Sequence, residues 1–253
     1  NYVEQFEIFA DSISRGGILV YNEEDAEVKR IAEAATAPTR KHAYVTPEYT
    51  IESGETLLET PEGAMPISVF GKHNLSNLAG AKWICQHMGV DEDDFYEAIA
   101  SFEGAAKRLE KIGETADAIA YKDFAHSPSK VAATTKAVKN QYPDKKLIAC
   151  LELHTYSSLN AEFIKGYKGA LDAAEEAVVF YTPEAVALKK LEAISESQIA
   201  TAFDRDDLSI FTDAEDFKTY LDTKSFDNAV LLLMSSGNYG GLDFDSVQDL
   251  LAK

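Results

Sequence analysis

The chain is poor in cysteine, in basic residues and in long apolar runs, and each shortage excludes something. Cys85 and Cys150 are the only cysteines among 253 residues, with no CxxC and no Cys/His pair at zinc spacing. That removes a disulfide scaffold and a structural zinc site, and leaves buried free thiols in a reducing, cytoplasmic setting as the expectation. Lysine and arginine number 24 against 43 acidic residues, a formal net charge of -19. Such a surface repels a duplex phosphate backbone, so no nucleic-acid partner is expected. A single nucleotide stays allowed, because a local nest of backbone N–H groups can hold it inside an acidic protein. The longest apolar run, 229–234, is far short of the roughly 18 to 20 residues of a spanning helix, and NYVEQFEIF does not read as a signal peptide, so no membrane partner is expected. GxSxG, HExxH and the phosphate-loop pattern GxxxxGK[ST] are all missing.

What is present is 45% hydrophobic residues, enough for a sizeable core in one large domain or two ordinary ones. Helical spacing over 2–14, a stop at Arg15-Gly16-Gly17 and the apolar run 18–21 predict a helix, turn and strand. Asn22 is placed to cap a helix over 23–35, followed by a strand at 41–45. Short alternating runs from 49 to 70 predict a small antiparallel excursion, and helices return at 74–88 and 91–101. Asp91 to Asp94 reads as a solvated helix start, Asp204 to Asp207 as surface, and His42 and His87 as lacking ligand-type partners. After Gly113 the texture is regular: strands at 118–124, 147–153, 177–181, 208–211 and 229–234 alternate with helices at 129–141, 160–174, 184–202, 214–225 and 244–252. Nearly continuous apolar strands between amphipathic helices predict an α/β fold with a mostly parallel sheet covered on both faces, which binds ligands at its carboxyl edge. The boundary falls near 103–107. The first part opens in mid-helix and would leave a sheet edge unpaired unless something upstream covers it, so a fragment is expected.

Four segments carry candidate chemistry. In 71–77, Asn74 and Asn77 share a helix face and could read a purine edge beside His73, or Asn74 could simply cap the helix. In 123–130, Asp123 and His126 end a strand where a carboxylate suits ribose hydroxyls and an imidazole suits phosphate; a plain capping turn is the alternative. The loops at 154–158 and 235–241 leave from the same sheet edge and should converge with Asp123 on one crevice, though the glycine-rich loop could be only a tight turn. It lacks GxGxxG spacing. Asp123 and Asn77 are expected to be exposed, so that their loss should spare stability.

Taken together, GKHNLSNLAGA (71–81), SFEGAAKRLEKIG (101–113), DFAHSPSKV (123–131) and the loop beginning LELH (151–154) resemble the Mur ligases of peptidoglycan metabolism in order and separation. The resemblance covers nearly the whole chain and implies a Rossmann-like C-terminal domain (105–253) preceded by the later part of the central ATP-binding domain (1–104). It implies ATP as cosubstrate, with His73, Asn74 and Asn77 at base and sugar, Arg108 near the nucleotide, Asp123 at the ribose, and His126 as the catalytic residue facing phosphate or incoming peptide. His154, Thr155, Ser236, Gly237 and Asn238 would bind the acceptor. Within the family, LLLMSSGNYGGL (231–242) looks most like the branch that joins UDP-N-acetylmuramate to a cell-wall tripeptide; the alanine-adding branch, or a nucleotide-binding module without catalysis, is the alternative. The phosphate loop and the Mg2+ ligands are expected upstream of Asn1, which would leave these residues inactive alone. Two departures stand out. Lys122 occupies a position where relatives often carry Asp, and Leu153 and Thr155 replace a usual Pro and Arg.

Overall fold

The computed structural model describes residues 2–253, which divide into two compact units, the first running through Glu103 and the second spanning Gly104–Lys253. The first opens with α1 (Tyr2–Asp11), β1 (Ile18–Asn22), α2 (Ala26–Ala34) and β2 (Arg40–Tyr44), and β1 pairs parallel with β2. The predicted cap is corrected here. Asn22 ends β1 and donates to Ser76 Oγ at 3.1 Å, while Asp25 caps α2, accepting from the N–H groups of Glu27 and Val28. Aspartate outcompetes because its oxygen reaches two orphan donors of the first turn. The antiparallel excursion is β3 (Tyr49–Glu52), β4 (Glu55–Thr60) and β5 (Gly63–Ile67). Its first hairpin turns at Ser53 and Gly54, both at positive φ. Next come α3 (Lys72–His87) and α4 (Glu92–Ala100). Leu58, Ile67, Leu75, Leu78 and Phe95 bury their side chains together, tying that sheet to both helices. At Gly80 a Cβ would stand 3.0 Å from the Tyr44 ring, so glycine is what lets α3 lie close to β2.

The second unit is a six-stranded sheet in the order β10 (Ser209–Phe211), β9 (Glu176–Phe180), β8 (Lys146–Glu152), β11 (Ala229–Met234), β7 (Ala118–Asp123), β6 (Glu110–Glu114). Every pairing is parallel except that of β6. All six residues of β11 are buried, as a central strand covered on both faces requires. On one face Cys150, Phe180, Leu231 and Leu233 pack with residues of α8 (Ala214–Thr223) and α9 (Val247–Leu251). Alternation sends Met234 to the other face, where Thr135 of α5 (Pro128–Gln141) meets its sulfur. Truncating a core residue such as Leu231 to alanine removes about 2–5 kcal/mol.

Three expectations fail locally. The helix expected over 160–174 is only a 3₁₀ segment, Phe163–Tyr167, followed by turns, and Gly169 takes φ +74°, outside helical geometry. The helix expected over 184–202 is two, α6 (Pro183–Leu188) and α7 (Glu196–Phe203), separated where Lys190 turns to φ +55°. A capping box between Ser195 and Gln198 starts α7 afresh. β6 was not foreseen: its EKIGE sequence carries the charges typical of an edge strand rather than an apolar run.

Candidate functional site

In the second unit the register aligns Met234 with Asp123 on one side and with Leu151 on the other, so the loops after β7, β8 and β11 leave the sheet side by side. They therefore share one edge of the sheet, as expected. Asp123 is buried rather than exposed, at 6%, and this corrects the sequence-based expectation. Its oxygens accept from the N–H of Leu109 at 2.8 Å and of Ala125 at 2.7 Å, with Thr134 Oγ1 at 3.5 Å. Leu109 lies at φ +47°, so the carboxylate holds a strained turn in place. Phe124 N–H donates to Lys107 O, which staples 107–109 to the β7 loop and sets the Arg108 guanidinium 5.6 Å from the Phe124 ring centre. Arg108 itself is exposed.

His126 is half-buried, with Nδ1 2.9 Å from Phe124 O. A carbonyl can only accept, so Nδ1 carries the proton in this bond and Nε2 is left for a ligand. The Tyr167 hydroxyl donates to His126 O and fixes the backbone there.

Across β11, the sequence reading missed Glu152, although it quoted the residues around it. A charge closing an otherwise apolar strand run was the available signal. Glu152 is 4% exposed; its Oε2 accepts from Ser235 Oγ and, at 3.0 Å, from Tyr239 N–H. His154 Nδ1 lies 3.6 Å from the other oxygen. A Cβ on Gly237 would come within 2.7 Å of Oε2, so this glycine seats the 235–241 loop on the buried carboxylate. Ser236 Oγ is buried and makes no hydrogen bond with the described residues. Asn238 is exposed. Thr155 Oγ1 and N–H both meet Ser158 Oγ at 2.9 Å, which closes the loop on itself.

The remaining candidates belong to the first unit. Gly71, at φ +88°, precedes the first turn of α3, so Asn74 is not the cap; it sits inside the helix and donates through Nδ2 to Phe70 O at 2.9 Å. Asn77 is exposed, one turn on along the same face, and His73 is half-buried beside them. Lys72 pairs with Glu24 at 2.8 Å, which together with Thr46 holds the Glu24 carboxyl down at about 2. His42 and His87, read as lacking ligand-type partners, have ring centres 4.5 Å apart, next to Trp83. Cys150 is buried, and burial pushes its thiol well up, whereas Cys85 is only partly covered. Among the described residues no group of three or more His, Cys, Asp or Glu is arranged to hold a metal ion. No described helix is long and apolar enough to cross a membrane.

A mostly parallel α/β sheet that sends a cation, an imidazole and a glycine-rich loop out of one carboxyl edge has a Rossmann-like fold. The family follows from comparison with known proteins: residues 107–237, just over half the chain, match the model described as Mur ligase, glutamate ligase domain. The chain belongs to the Mur ligase family. It is 30% identical over 195 residues to the UDP-N-acetylmuramate–L-alanine ligase of Pediococcus pentosaceus, covering 74% of this chain and 40% of that protein. With the protein of the same name from Desulfitobacterium hafniense it shares 25% over 178 residues, covering 70% and 39%. The chain thus spans about two fifths of the length of these curated relatives. Among solved structures, the murein peptide ligase of Psychrobacter arcticus superposes with a TM-score of 0.64 at 17% identity, over 98% of this chain and 54% of that one. A folylpolyglutamate synthase of Mycobacterium tuberculosis complexed with ADP gives 0.67 at 16%, over 100% and 60%. Such identities establish the fold.

Proposed function

We propose that the chain is the acceptor-binding and part of the nucleotide-binding portion of an ATP-dependent, cytoplasmic ligase that joins UDP-N-acetylmuramate to a cell-wall tripeptide. The observation that carries this reading is the 235–241 loop seated through Gly237 on buried Glu152, beside His154, at the sheet edge that also bears Arg108 and His126. In the proposed reaction ATP phosphorylates the muramoyl carboxylate; the acceptor amine then attacks the acyl phosphate, forms the amide and releases phosphate. For the nucleotide, Asn77 offers an amide and Asn74 an Oδ1 that make no hydrogen bond among the described residues, a pair suited to a purine edge. Arg108 supplies a charge for phosphate oxygens. Asp123, already accepting from Leu109 and Ala125, is assigned first to positioning Arg108 and only through its remaining lone pairs to ribose. His126 presents Nε2 to phosphate or to the incoming amine. His154, Ser236, Gly237 and Asn238 receive the acceptor, and Thr155 shapes their loop.

Phosphoryl transfer depends on positioning and charge neutralisation that these residues, without a GxxxxGK[ST] segment, do not supply. We therefore infer that the 253 residues alone do not turn over. A second reading is favoured by the curated relatives above, named as L-alanine-adding ligases: free alanine as acceptor. The deciding assay measures ATP consumption and product mass with UDP-N-acetylmuramate, offering tripeptide or L-alanine, in a polypeptide that carries the phosphate loop together with these residues. Preference for the tripeptide supports the proposal; preference for alanine replaces it with the second reading. Turnover by the 253 residues alone would remove the inference of inactivity.

A further inference from the structure

The sequence leaves His42 and His87 without ligand-type partners; the fold supplies each with the other. His42 lies in the middle of β2, where successive side chains alternate between faces. Lys41 turns to the α2 side and donates from Nζ to the carbonyls of Glu33 and Ala35, so His42 faces α3. There Trp83 and His87, one turn apart, share a helix face. Ring centres lie 4.5 Å apart for His42 and His87, 5.2 Å for His42 and Trp83, and 5.9 Å for Trp83 and His87. Neither imidazole hydrogen-bonds or ion-pairs with a described residue. Ser236 Oγ is the one buried side-chain polar atom that lacks a partner among the described residues, so the nitrogens of half-buried His42 reach solvent; His87 is exposed.

The two imidazole planes are inclined at 58°, so the rings converge rather than stack. With metal–nitrogen bonds of about 2.0–2.1 Å and each ring centre roughly 1.1 Å beyond its nitrogen, two imidazoles about 90° apart on one ion place their centres about 4.5 Å from each other; at the tetrahedral angle the spacing is about 5.2 Å. The observed spacing is that of the cis pair. Imidazoles on a tetragonal or octahedral divalent ion are the chemistry of Cu2+ and Ni2+, with Cu2+ bound the more tightly. The local charge suits a cation. His87 sits in the last turn of α3, at the negative end of the helix dipole, and Lys82, next to Trp83 in the chain, is already paired with Glu92. We propose that His42 and His87 form a two-imidazole site for a divalent late transition-metal ion, Cu2+ or Ni2+, with water in its other positions and Trp83 at its side. The ion clamps the C-terminal end of α3 to β2. Roughly 15 Å of helix separates His87 from Asn77, so the site is independent of the ligase reading.

The test uses the tag-free 253-residue chain, whose single tryptophan, Trp83, lies against the site. Titration with CuCl2 or NiCl2 should quench its emission saturably at one ion per chain, with ZnCl2 at least about tenfold weaker and MgCl2 without effect. His42→Ala and His87→Ala should each weaken Cu2+ binding about tenfold or more, because the remaining imidazole loses its chelate partner. Hyperfine splitting from two imidazole nitrogens in the Cu2+ electron paramagnetic resonance spectrum of the unaltered chain checks the same pair without any substitution. Absence of saturable quenching, an affinity unchanged in either variant, or a spectrum showing a single nitrogen overturns the site. Zn2+ bound as tightly as Cu2+ overturns the cis geometry on which the choice of ion rests. Failure of the tripeptide assay leaves this site standing, and failure of the metal titration leaves the ligase reading standing.

Discussion

Replacing Glu176 with glutamine should cost the second unit about 2 kcal/mol at neutral pH. The carboxylate starts β9 with its side chain only 17% exposed, and it gathers Lys146 at 2.8 Å, Lys224 and the Tyr220 hydroxyl. Burial alone would raise its pKa, but these three partners overcome that and pull it to about 2, from an ordinary 4.5. A depression of that size corresponds to roughly 3 kcal/mol, reduced to about 2 once the water reaching Lys146 is allowed for. The sign follows from the lowered folded-state pKa: the contribution is complete above about pH 4.5 and disappears as pH falls towards 2. Glutamine keeps the shape but leaves two ammonium groups facing one another. Urea unfolding by circular dichroism at pH 7 and pH 3 measures the effect, while the single tryptophan, Trp83, reports the first unit by fluorescence. A gap between wild type and variant of about 2 kcal/mol at pH 7, closing to under about 1 at pH 3, is expected. A variant within about 0.5 kcal/mol at pH 7, or a gap that does not narrow in acid, would refute this account of the network.

Asp123→Ala should lower stability by about 2–4 kcal/mol, because two buried backbone N–H groups lose their acceptor; Asp123→Asn should lose less, and equal thermal midpoints for all three proteins would show that the carboxylate is not holding the turn. Gly237→Ala brings a methyl group against the Glu152 carboxylate and should cost about 1–3 kcal/mol by crowding. That cost should shrink when the same change is made in a Glu152→Ala background, although Glu152→Ala itself lowers stability by orphaning the Tyr239 N–H and Ser235 hydroxyl; an equal calorimetric cost in both backgrounds would contradict the packing. Asn77→Ala, on an exposed helix face, should shift the unfolding midpoint by no more than about 0.5 kcal/mol while raising the ATP concentration needed for half-maximal turnover; unchanged kinetics would take Asn77 out of the site.

The parallel sheet was legible because its strands are nearly uninterrupted apolar runs; 229–234 was read with both ends correct and is β11. The 3₁₀ segment at 163–167 was not, because Ile164, Tyr167, Leu171 and Ala174 bury at helix-like spacing while the backbone leaves helical geometry at Gly169. Spacing records which side chains face the core, not the dihedral angles that bring them there. Of the candidate site, the positions of Asp123, His126, His154 and 236–238 followed from their place after strands that share a direction.

Their tasks did not follow. By itself the sequence determined the class of fold, the edge at which chemistry-bearing loops emerge and the family likeness, since apolar periodicity and motif order are local properties of the chain. Only the tertiary structure decided that Asp123 is buried under Leu109, that Thr155 closes on Ser158, and that Glu152 underlies Gly237. Those outcomes depend on which donors happen to meet a carboxylate across strands far apart in the chain, and hydrogen-bond partnership at such separations is set by packing.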